Sequence, residues 1–139
     1  MSSMQMPSDM KAFNQKLIAE FRANGGKLSG PFAATKPMLL TTRGARTGED
    51  RTVVIGFRPF GDGYAVIASN NAAPSPPHWY FNLMKEPKAT VEIGTDKFPV
   101  RARVAEGEER EEAAKMIDYF APQQAKTQRR IPILILERT

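Results

Sequence analysis

The chain has 139 residues, no cysteine, one histidine and a formal net charge of +5, with an isoelectric point near 9.7. Its length predicts one domain over 1–139, and its composition excludes disulfides, cysteine nucleophiles and multi-histidine metal sites. The sequence has no apolar run of the roughly 20 residues that a transmembrane helix needs, and residues 1–11 lack the apolar core of a signal peptide. We therefore predict a cytoplasmic protein without a metal, in which residues 1–7 are disordered.

The positive charge is concentrated in the first half of the chain. Residues 1–70 carry nine Lys and Arg against five Asp and Glu, whereas residues 71–139 carry eleven against ten. A local excess of this kind favours an anionic small molecule bound at one site over a uniformly basic surface. Since no nucleic-acid-binding module is recognisable either, we expect a small-molecule partner and no nucleic acid.

Hydrophobic periodicity predicts elements in the order α-βββ-α-ββ-α-β. The predicted helices cover 8–26, 78–85 and 107–120, and the predicted strands cover 38–43, 51–59, 63–69, 89–93, 97–104 and 131–136. Two helices carry apolar stripes, formed by Met10, Phe13, Leu17, Ile18 and Phe21 in the first and by Ala113, Met116, Ile117 and Phe120 in the last. The final strand is apolar on both faces, which is typical of a central strand. Short antiparallel connections then indicate a small α+β barrel with three to four helices.

A hairpin loop between the first two strands carries three arginines and two glycines. Gly44 and Gly48 allow a positive φ, so the loop can turn tightly and direct backbone N–H groups to one side. Arginine adds a permanent charge and a planar donor fork that suits phosphate or carboxylate. The pattern predicts an anion clamp through Arg46 and Arg51, with Arg43 as a solvated turn residue.

The segment 68–83 is predicted to form a second side of the binding site, facing the hairpin loop. Pro77 opens a helix whose first N–H groups, from 78 to 80, are expected to face a ligand. His78 and Asn82 share one face at i, i+4 spacing, which predicts that both lie at a cleft edge. Trp79 is expected to be a core anchor rather than a stacking platform.

Several motifs, taken in order, resemble the deazaflavin-dependent nitroreductase family. They are Phe21-Arg22-x-Asn24-Gly25-Gly26, Thr41-Thr42-x-Gly44-x-Arg46-Thr47-Gly48-x-x-Arg51, Ala68-Ser69, Pro77-x-Trp79-Tyr80-x-Asn82-Leu83, Pro87 and Lys126-Thr127-x-Arg129-Arg130-Ile131-Pro132-Ile133. Each motif alone is weak, whereas all of them in this order are specific. The chain departs from the family at Asn70-Asn71-Ala72, where many members have Lys-Gly-Gly.

The resemblance implies a mostly antiparallel split β-barrel of the FMN-binding type that binds coenzyme F-420, an 8-hydroxy-5-deazaflavin with a phospholactyl-oligoglutamate tail. The implied cofactor contacts are hairpin residues Ala45, Arg46, Thr47 and Arg51 at the phosphate, strand residues Val53 and Val54 and loop residues Ala68, Ser69 and Asn70 along the ring, and His78, Trp79 and Asn82 at the helix. The implied reaction transfers a hydride from the reduced deazaflavin to a quinone, an enone or a nitro compound. Ser69 or Tyr119 is the implied donor of a proton or hydrogen bond to the acceptor.

Two other functions stay open at this point. The first is an FMN-binding split-barrel oxidoreductase, because a Gly- and Arg-bearing loop does not distinguish FMN from F-420. The second is a non-catalytic barrel that binds a cofactor or a lipid. The sequence also leaves open whether the chain is a monomer or a homodimer, and whether its N-terminal helix makes a peripheral membrane contact.

Overall fold

The computed structural model describes residues 6–29 and 36–139, and the side chains from residue 12 onwards within these ranges. The described chain forms four α-helices and seven strands. The helices are α1 (Met6–Ala23), α2 (His78–Lys85), α3 (Gly107–Met116) and α4 (Phe120–Gln124). The strands are β1 (Met38–Arg43), β2 (Asp50–Ile55), β3 (Arg58–Phe60), β4 (Gly63–Ile67), β5 (Lys88–Ile93), β6 (Asp96–Val104) and β7 (Ile133–Arg138).

All seven strands belong to one antiparallel sheet in the order β2-β1-β5-β6-β7-β4-β3. Strands β2 and β3 are the two ends of this order, yet only Gly56 and Phe57 separate them along the chain. Ile55 and Arg58 are therefore three residues apart and within about 11 Å of each other, so the sheet must curl until its ends lie close together. This closure confirms the predicted split β-barrel with helices around it.

Closure also explains why the predicted strand 51–59 is wrong. Its first half pairs with β1 and its second half pairs with β4, so the chain leaves one end of the sheet and joins the other at Gly56. A Cβ on Gly56 would stand 3.2 Å from the Tyr119 hydroxyl. Periodicity along one strand cannot reveal such a change of partner.

The barrel interior and its two outer faces each hold an apolar cluster. Met38, Leu40, Val91 and Trp79 belong to the interior cluster, and α1 covers a smaller cluster of Phe21, Leu28 and Leu39. Helices α3 and α4 cover the third cluster, which is built on Ile133 and Ile135 of β7. Because Leu134 and Leu136 of the same strand face the interior, the prediction that the last strand is apolar on both faces is confirmed.

Several predicted boundaries and burials differ from the structure. The predicted helix 107–120 is two helices, because Ile117 adopts an extended backbone (φ −96°, ψ 96°) and inserts its side chain into the core. Met116 consequently turns outward and is half exposed, as is Phe13 on α1. Helix α1 begins at Met6, inside the segment predicted to be disordered. The rest of that prediction (1–5) and the side chain of Met10 lie outside the described residues.

Candidate functional site

A cleft of about 840 Å³ lies between α1, the loop between β1 and β2, and the first turns of α2. Helix α1 supplies one wall, the loop and β2 supply the floor and edge, and α2 supplies the opposite wall. Its lining comprises Asn14, Gln15, Ile18, Arg22, Gly44, Ala45, Arg46, Thr47, Asp50, Arg51, Thr52, Val53, His78, Trp79 and Asn82. The structure therefore brings together the hairpin and the helix start that the sequence singled out separately.

We call the loop 44–49 together with the adjoining Arg51 of β2 the arginine hairpin, and the loop is closed by its own backbone. The N–H of Gly44 donates to the Glu49 carbonyl at 2.8 Å, and the N–H of Gly48 donates to the Gly44 carbonyl at 2.9 Å. Gly48 has the predicted positive φ (+75°). Gly44 does not; it is needed because a Cβ there would stand 3.0 Å from the Thr47 hydroxyl and 3.1 Å from the Glu49 carbonyl oxygen.

The cleft edge carries arginines with little internal compensation. The exposed Arg46 side chain forms no hydrogen bond or ion pair with any residue in the described part of the chain. Arg51 has Glu49 as a distant counter-ion at 3.6 Å, and both side chains are more than half exposed. Arg43 is exposed and lies outside the lining. The edge thus offers two guanidinium groups that can bind an incoming anion.

Helix α2 contributes residues with different roles. Trp79 is buried in the barrel interior and also lines the cleft, which agrees with its expected role as a core anchor. His78 is exposed at the cleft. Asn82 also lines the cleft, but it is only 6 % accessible, and its amide bonds to Ala45 and Thr42. The N–H of Tyr80, expected to face a ligand, donates to the Pro77 carbonyl at 3.0 Å.

Sequence reasoning missed the wall formed by α1. Asn14, Ile18 and Arg22 follow one another at i, i+4 spacing, which is the signal that could have placed them on one face. Asn14 Nδ2 donates to the Thr52 carbonyl at 3.3 Å. Arg22 forms a bidentate pair with the buried Glu92, at 3.0 Å and 2.8 Å. This pair holds the pKa of the Glu92 carboxyl below its ordinary value, and it fixes α1 against β5.

Four predicted cofactor residues do not line this cleft. Val54 packs beneath α1, since alternation along β2 turns Val53 and Ile55 toward the barrel interior and Val54 to the other face. Ala68 is buried in the interior cluster, and Ser69 and Asn70 begin a turn at the end of β4. We call the segment 70–72 the left-handed turn, because Asn70, Asn71 and Ala72 all have positive φ (49°, 54° and 62°).

Arg129 holds the chain around the left-handed turn. Its Nη2 donates to the Ser69 carbonyl at 2.7 Å and to the Ala68 carbonyl at 3.2 Å, and its Nε donates to the Ala73 carbonyl at 2.8 Å. A guanidinium with several donors in a fixed plane can satisfy such a set of carbonyls, which lysine cannot match in geometry. The sequence had presented Arg129 only as part of a motif.

Tyr119, predicted as a proton donor, lies outside the cleft lining. Its hydroxyl is buried without a hydrogen-bond partner among the described residues, and Arg58 stands over its ring at 4.9 Å. Burial raises the pKa of the Tyr119 phenol above its ordinary value of 10.0. The phenol is therefore protonated at neutral pH and has an unused donor.

The described residues form neither a metal centre nor a membrane-spanning helix. Among the described side chains, those of residues 12–29 and 36–139, there is no group of three or more from histidine, aspartate and glutamate that could hold a metal ion. Over residues 6–29 and 36–139, no helix has the length and apolarity needed to cross a membrane.

Comparison with known proteins gives a consistent result. Residues 14–138 match the family model described as F420H(2)-dependent quinone reductase. An F420H(2)-dependent quinone reductase of Mycobacterium tuberculosis is 28% identical over 128 residues, which cover 86% of each chain.

Solved structures show the same relationship at the level of the fold. A structure described as an F420-H2 dependent reductase (FDR-A) has a TM-score of 0.65 and 37% identity, over 73% of this chain and 94% of that one. A second, described as a domain-swapped dimer, has a TM-score of 0.68 and 33% identity, over 94% and 99% of the two chains. A pyridoxamine 5'-phosphate oxidase-like protein of Listeria innocua, at 12% identity and a TM-score of 0.51, shares the fold over 74% of this chain and 83% of that one.

Proposed function

Because this chain belongs to the F420H(2)-dependent quinone reductase family and is an F-420-dependent reductase of the split-barrel fold, we propose that it reduces a quinone in the cleft beside the arginine hairpin. Coenzyme F-420 is the cofactor of the family, so the FMN alternative is not needed. The observation that carries the proposal is the pair of exposed guanidinium groups, Arg46 and Arg51, at the edge of a cleft that also has apolar residues in its lining.

The residues of the cleft fit this cofactor in two respects. The tail of F-420 is polyanionic, and it requires cations that are not already neutralised by the protein. Arg46 has no counter-ion among the described residues and Arg51 has only a distant one. The deazaflavin ring is flat and aromatic, and Val53, Ile18 and Trp79 provide an apolar surface next to the arginines on which its face can lie.

When bound, reduced F-420 supplies the two electrons and the hydrogen that the acceptor receives as a hydride. The role of the chain is to hold the reactants in place and to exclude water. Arg46 and Arg51 bind the phosphate and carboxylates of the tail through charge-assisted bonds. Val53 and Trp79, which line the cleft, would contact the ring and help to hold it in place.

A separate part of this proposal is the group that donates a proton or hydrogen bond to the acceptor oxygen. Ser69 and Tyr119 are the predicted donors. What supports Tyr119 is its protonated, unpartnered hydroxyl beside Gly56, which follows directly on β2. If Tyr119 donates, Tyr119→Phe lowers kcat by about 10²-fold while the KM of F-420 changes little, and Ser69→Ala is the parallel test for Ser69.

A fluorescence titration with oxidised F-420, using FMN as the comparison, tests the cofactor assignment. The acceptor is then identified from the oxidation of reduced F-420 in the presence of a quinone, an enone or a nitro compound. We expect binding of F-420, no binding of FMN and the fastest turnover with the quinone. Tight FMN binding would overturn the cofactor, and turnover with the enone or nitro compound alone would overturn the proposed acceptor.

We include a homodimer in this proposal. The related structure of 33% identity is described as a domain-swapped dimer and covers 94% of this chain. Light scattering coupled to size exclusion distinguishes the dimer, at about twice 15.4 kDa, from the monomer. A single species of monomer mass would contradict this part of the proposal.

A cytoplasmic location also belongs to the proposal. It is supported by the absence of cysteine from the sequence, since disulfides are used in oxidising compartments. Fractionation of cells into soluble and membrane pools tests this location and the peripheral contact of the N-terminal helix together. Recovery in the membrane pool at low salt would favour the peripheral contact.

A further inference from the structure

Both backbone polar groups of Ala45, in the arginine hairpin, are bonded to side chains of α2. The Ala45 N–H donates to Asn82 Oδ1 at 2.9 Å, and Lys85 Nζ donates to the Ala45 carbonyl at 2.8 Å. Asn82 and Lys85 are three residues apart and thus share a face of the helix. We infer that these two are positioning residues, which fix the arginine hairpin on α2 and thereby set where its guanidinium groups meet the anionic tail of F-420. The inference rests on the proposed function.

The amide of Asn82 bonds to residues that adjoin each of the two arginines. Its oxygen accepts from Ala45, the residue before Arg46, while its nitrogen donates to the Thr42 hydroxyl at 3.0 Å. Thr42 is only 1% exposed and is the cross-strand partner of Arg51. One buried side chain therefore fixes the backbone next to Arg46 and the backbone opposite Arg51.

The same bonds give Asn82 a role inside the protein. The residue is 6% exposed, and its amide oxygen and amide nitrogen each form one bond to another residue of the chain. The amide keeps a second N–H and a second lone pair, so it is the burial of Asn82 that favours an effect through Ala45 and Thr42 over a direct bond to the cofactor.

The arginine hairpin needs such an anchor because its other bonds are local. The bonds within 44–49 join residues of the loop to one another, and they restrict its shape without fixing its place on the barrel. Residues 46–49 are exposed. An unanchored loop would have to be ordered during binding, and that entropy cost would reduce the affinity for the tail.

Binding measurements with two ligands test the inference. Oxidised F-420 and the phosphate-free deazaflavin riboside share the ring, but only F-420 has the tail. We expect Asn82→Ala to weaken F-420 binding about tenfold, as for a lost buried hydrogen bond, and to leave riboside binding unchanged. Lys85→Met should weaken F-420 binding more than Lys88→Met, a matched control that removes the same charge from an exposed lysine of β5 outside the cleft.

A double-variant cycle separates positioning from direct contact. If Asn82 acts through the two arginines, Asn82→Ala should have little further effect on F-420 binding in a background that carries both Arg46→Ala and Arg51→Ala. Additive losses, or an equal weakening of riboside binding, would mean that Asn82 contacts the cofactor and would overturn the inference.

Hydrogen–deuterium exchange of the protein without cofactor supplies a readout that is independent of F-420. Amides of 44–51 should exchange faster in Asn82→Ala than in the wild type or in Lys88→Met. Thr42→Val, which keeps the shape of the side chain and removes the acceptor of Asn82, should also speed exchange, so the test survives if Asn82→Ala does not fold. Unchanged exchange in these variants would overturn the inference, whereas failure of the wild type to bind F-420 would overturn only the proposed function.

Discussion

At the residue scale, the three arginines near the hairpin differ in what surrounds them. Arg46 and Arg51 line the cleft, whereas Arg43 is exposed at the end of β1 and outside it. Charge alone is equal at the three positions, so only their placement relative to the cleft separates a ligand contact from a solubilising residue. This difference makes Arg43 a control for the other two.

We expect Arg46→Ala and Arg51→Ala each to raise the KM of F-420 by the equivalent of about 1–3 kcal/mol, with smaller changes in kcat, because each removes a charge-assisted bond to the tail. Steady-state kinetics with varied F-420 measures both constants. Arg43→Ala should change neither of them. Unchanged kinetics in both cleft variants would exclude the arginines from tail binding.

The buried hydroxyl of Tyr119 should make the stability of the fold depend on pH in the alkaline range. Its pKa is raised in the folded protein because burial disfavours the charged phenolate. A group with a raised folded pKa contributes stability that is complete below its unfolded pKa and is lost as the pH rises through the folded pKa. We therefore expect the wild type to lose stability above about pH 10, and Tyr119→Phe to lose less.

Denaturant unfolding of the two proteins between neutral and alkaline pH measures this difference. At neutral pH, Tyr119→Phe should be at least as stable as the wild type, because it removes a buried hydroxyl without a partner. Parallel losses of stability in both proteins above pH 10 would show that other groups govern alkaline unfolding.

At the element scale, helix α1 is a wall of the cleft that depends on an ion pair. Glu92 is buried, and Arg22 supplies both of its hydrogen bonds in the described part of the chain. Because Arg22 is half exposed (49%), water screens part of this interaction. The pair therefore contributes less than a fully buried one.

We expect Arg22→Ala to lower the free energy of unfolding by about 1–2 kcal/mol at neutral pH, because it leaves the Glu92 carboxylate without its partner. The lowered pKa of Glu92 means that the pair stabilises the fold above the ordinary value of 4.5 and that this stability is lost as the pH falls through the folded pKa. Replacing Glu92 by Gln in the Arg22→Ala background should restore part of the loss at neutral pH. No loss in Arg22→Ala would contradict the role of the pair in fixing α1.

The left-handed turn is a second element under strain, because its three residues have a positive φ although each carries a Cβ. A left-handed residue with a Cβ costs about 1–2 kcal/mol, and asparagine tolerates it better than alanine. Ala72, at φ +62°, is the residue with the least compensation. Arg129 binds the carbonyls on both sides of the turn and so helps to maintain it.

We expect Ala72→Gly to raise the free energy of unfolding by about 0.5–1 kcal/mol, since relief of the positive φ exceeds the entropy cost of glycine. Ala73→Gly is the control. Ala73 has an extended backbone (φ −65°, ψ 160°), so the same change there should lower the free energy of unfolding. Urea unfolding at neutral pH compares the two variants. A loss of stability in both would contradict strain at Ala72.

At the scale of the whole molecule, the effect of the net charge of +5 on ligand binding depends on where the charges lie. The exposed guanidinium groups at the cleft attract the anionic tail of F-420, and the range of this attraction shortens as the salt concentration rises. The Kd of F-420 should rise several-fold between about 0.01 M and 0.15 M salt, as the Debye length falls from about 30 Å to about 8 Å. The phosphate-free riboside should show almost no salt dependence, and equal dependence for both ligands would contradict tail-directed electrostatics.

The sequence by itself determined the features that depend on local patterns. These features include the alternation along β5 and β6, the apolar run of β7, and the loop 44–49 with Arg46 in it and Arg43 and Arg51 beside it. Each could be predicted because it is set by neighbours in the chain. The family motifs added the cofactor and the class of reaction. The helix 107–120 and the strand 51–59 were not readable, because their breaks at Ile117 and Gly56 arise from packing and from closure of the sheet.

Tertiary structure alone decided how these parts form a site. Only folding placed Asn14, Ile18 and Arg22 opposite the arginine hairpin, and only folding showed that Asn82 is bonded to that loop. The physical reason is that 37 residues separate Ala45 from Asn82 and 70 separate Arg22 from Glu92. Hydrogen bonds between such distant residues form only when the barrel brings their elements together, so no local pattern in the sequence encodes them.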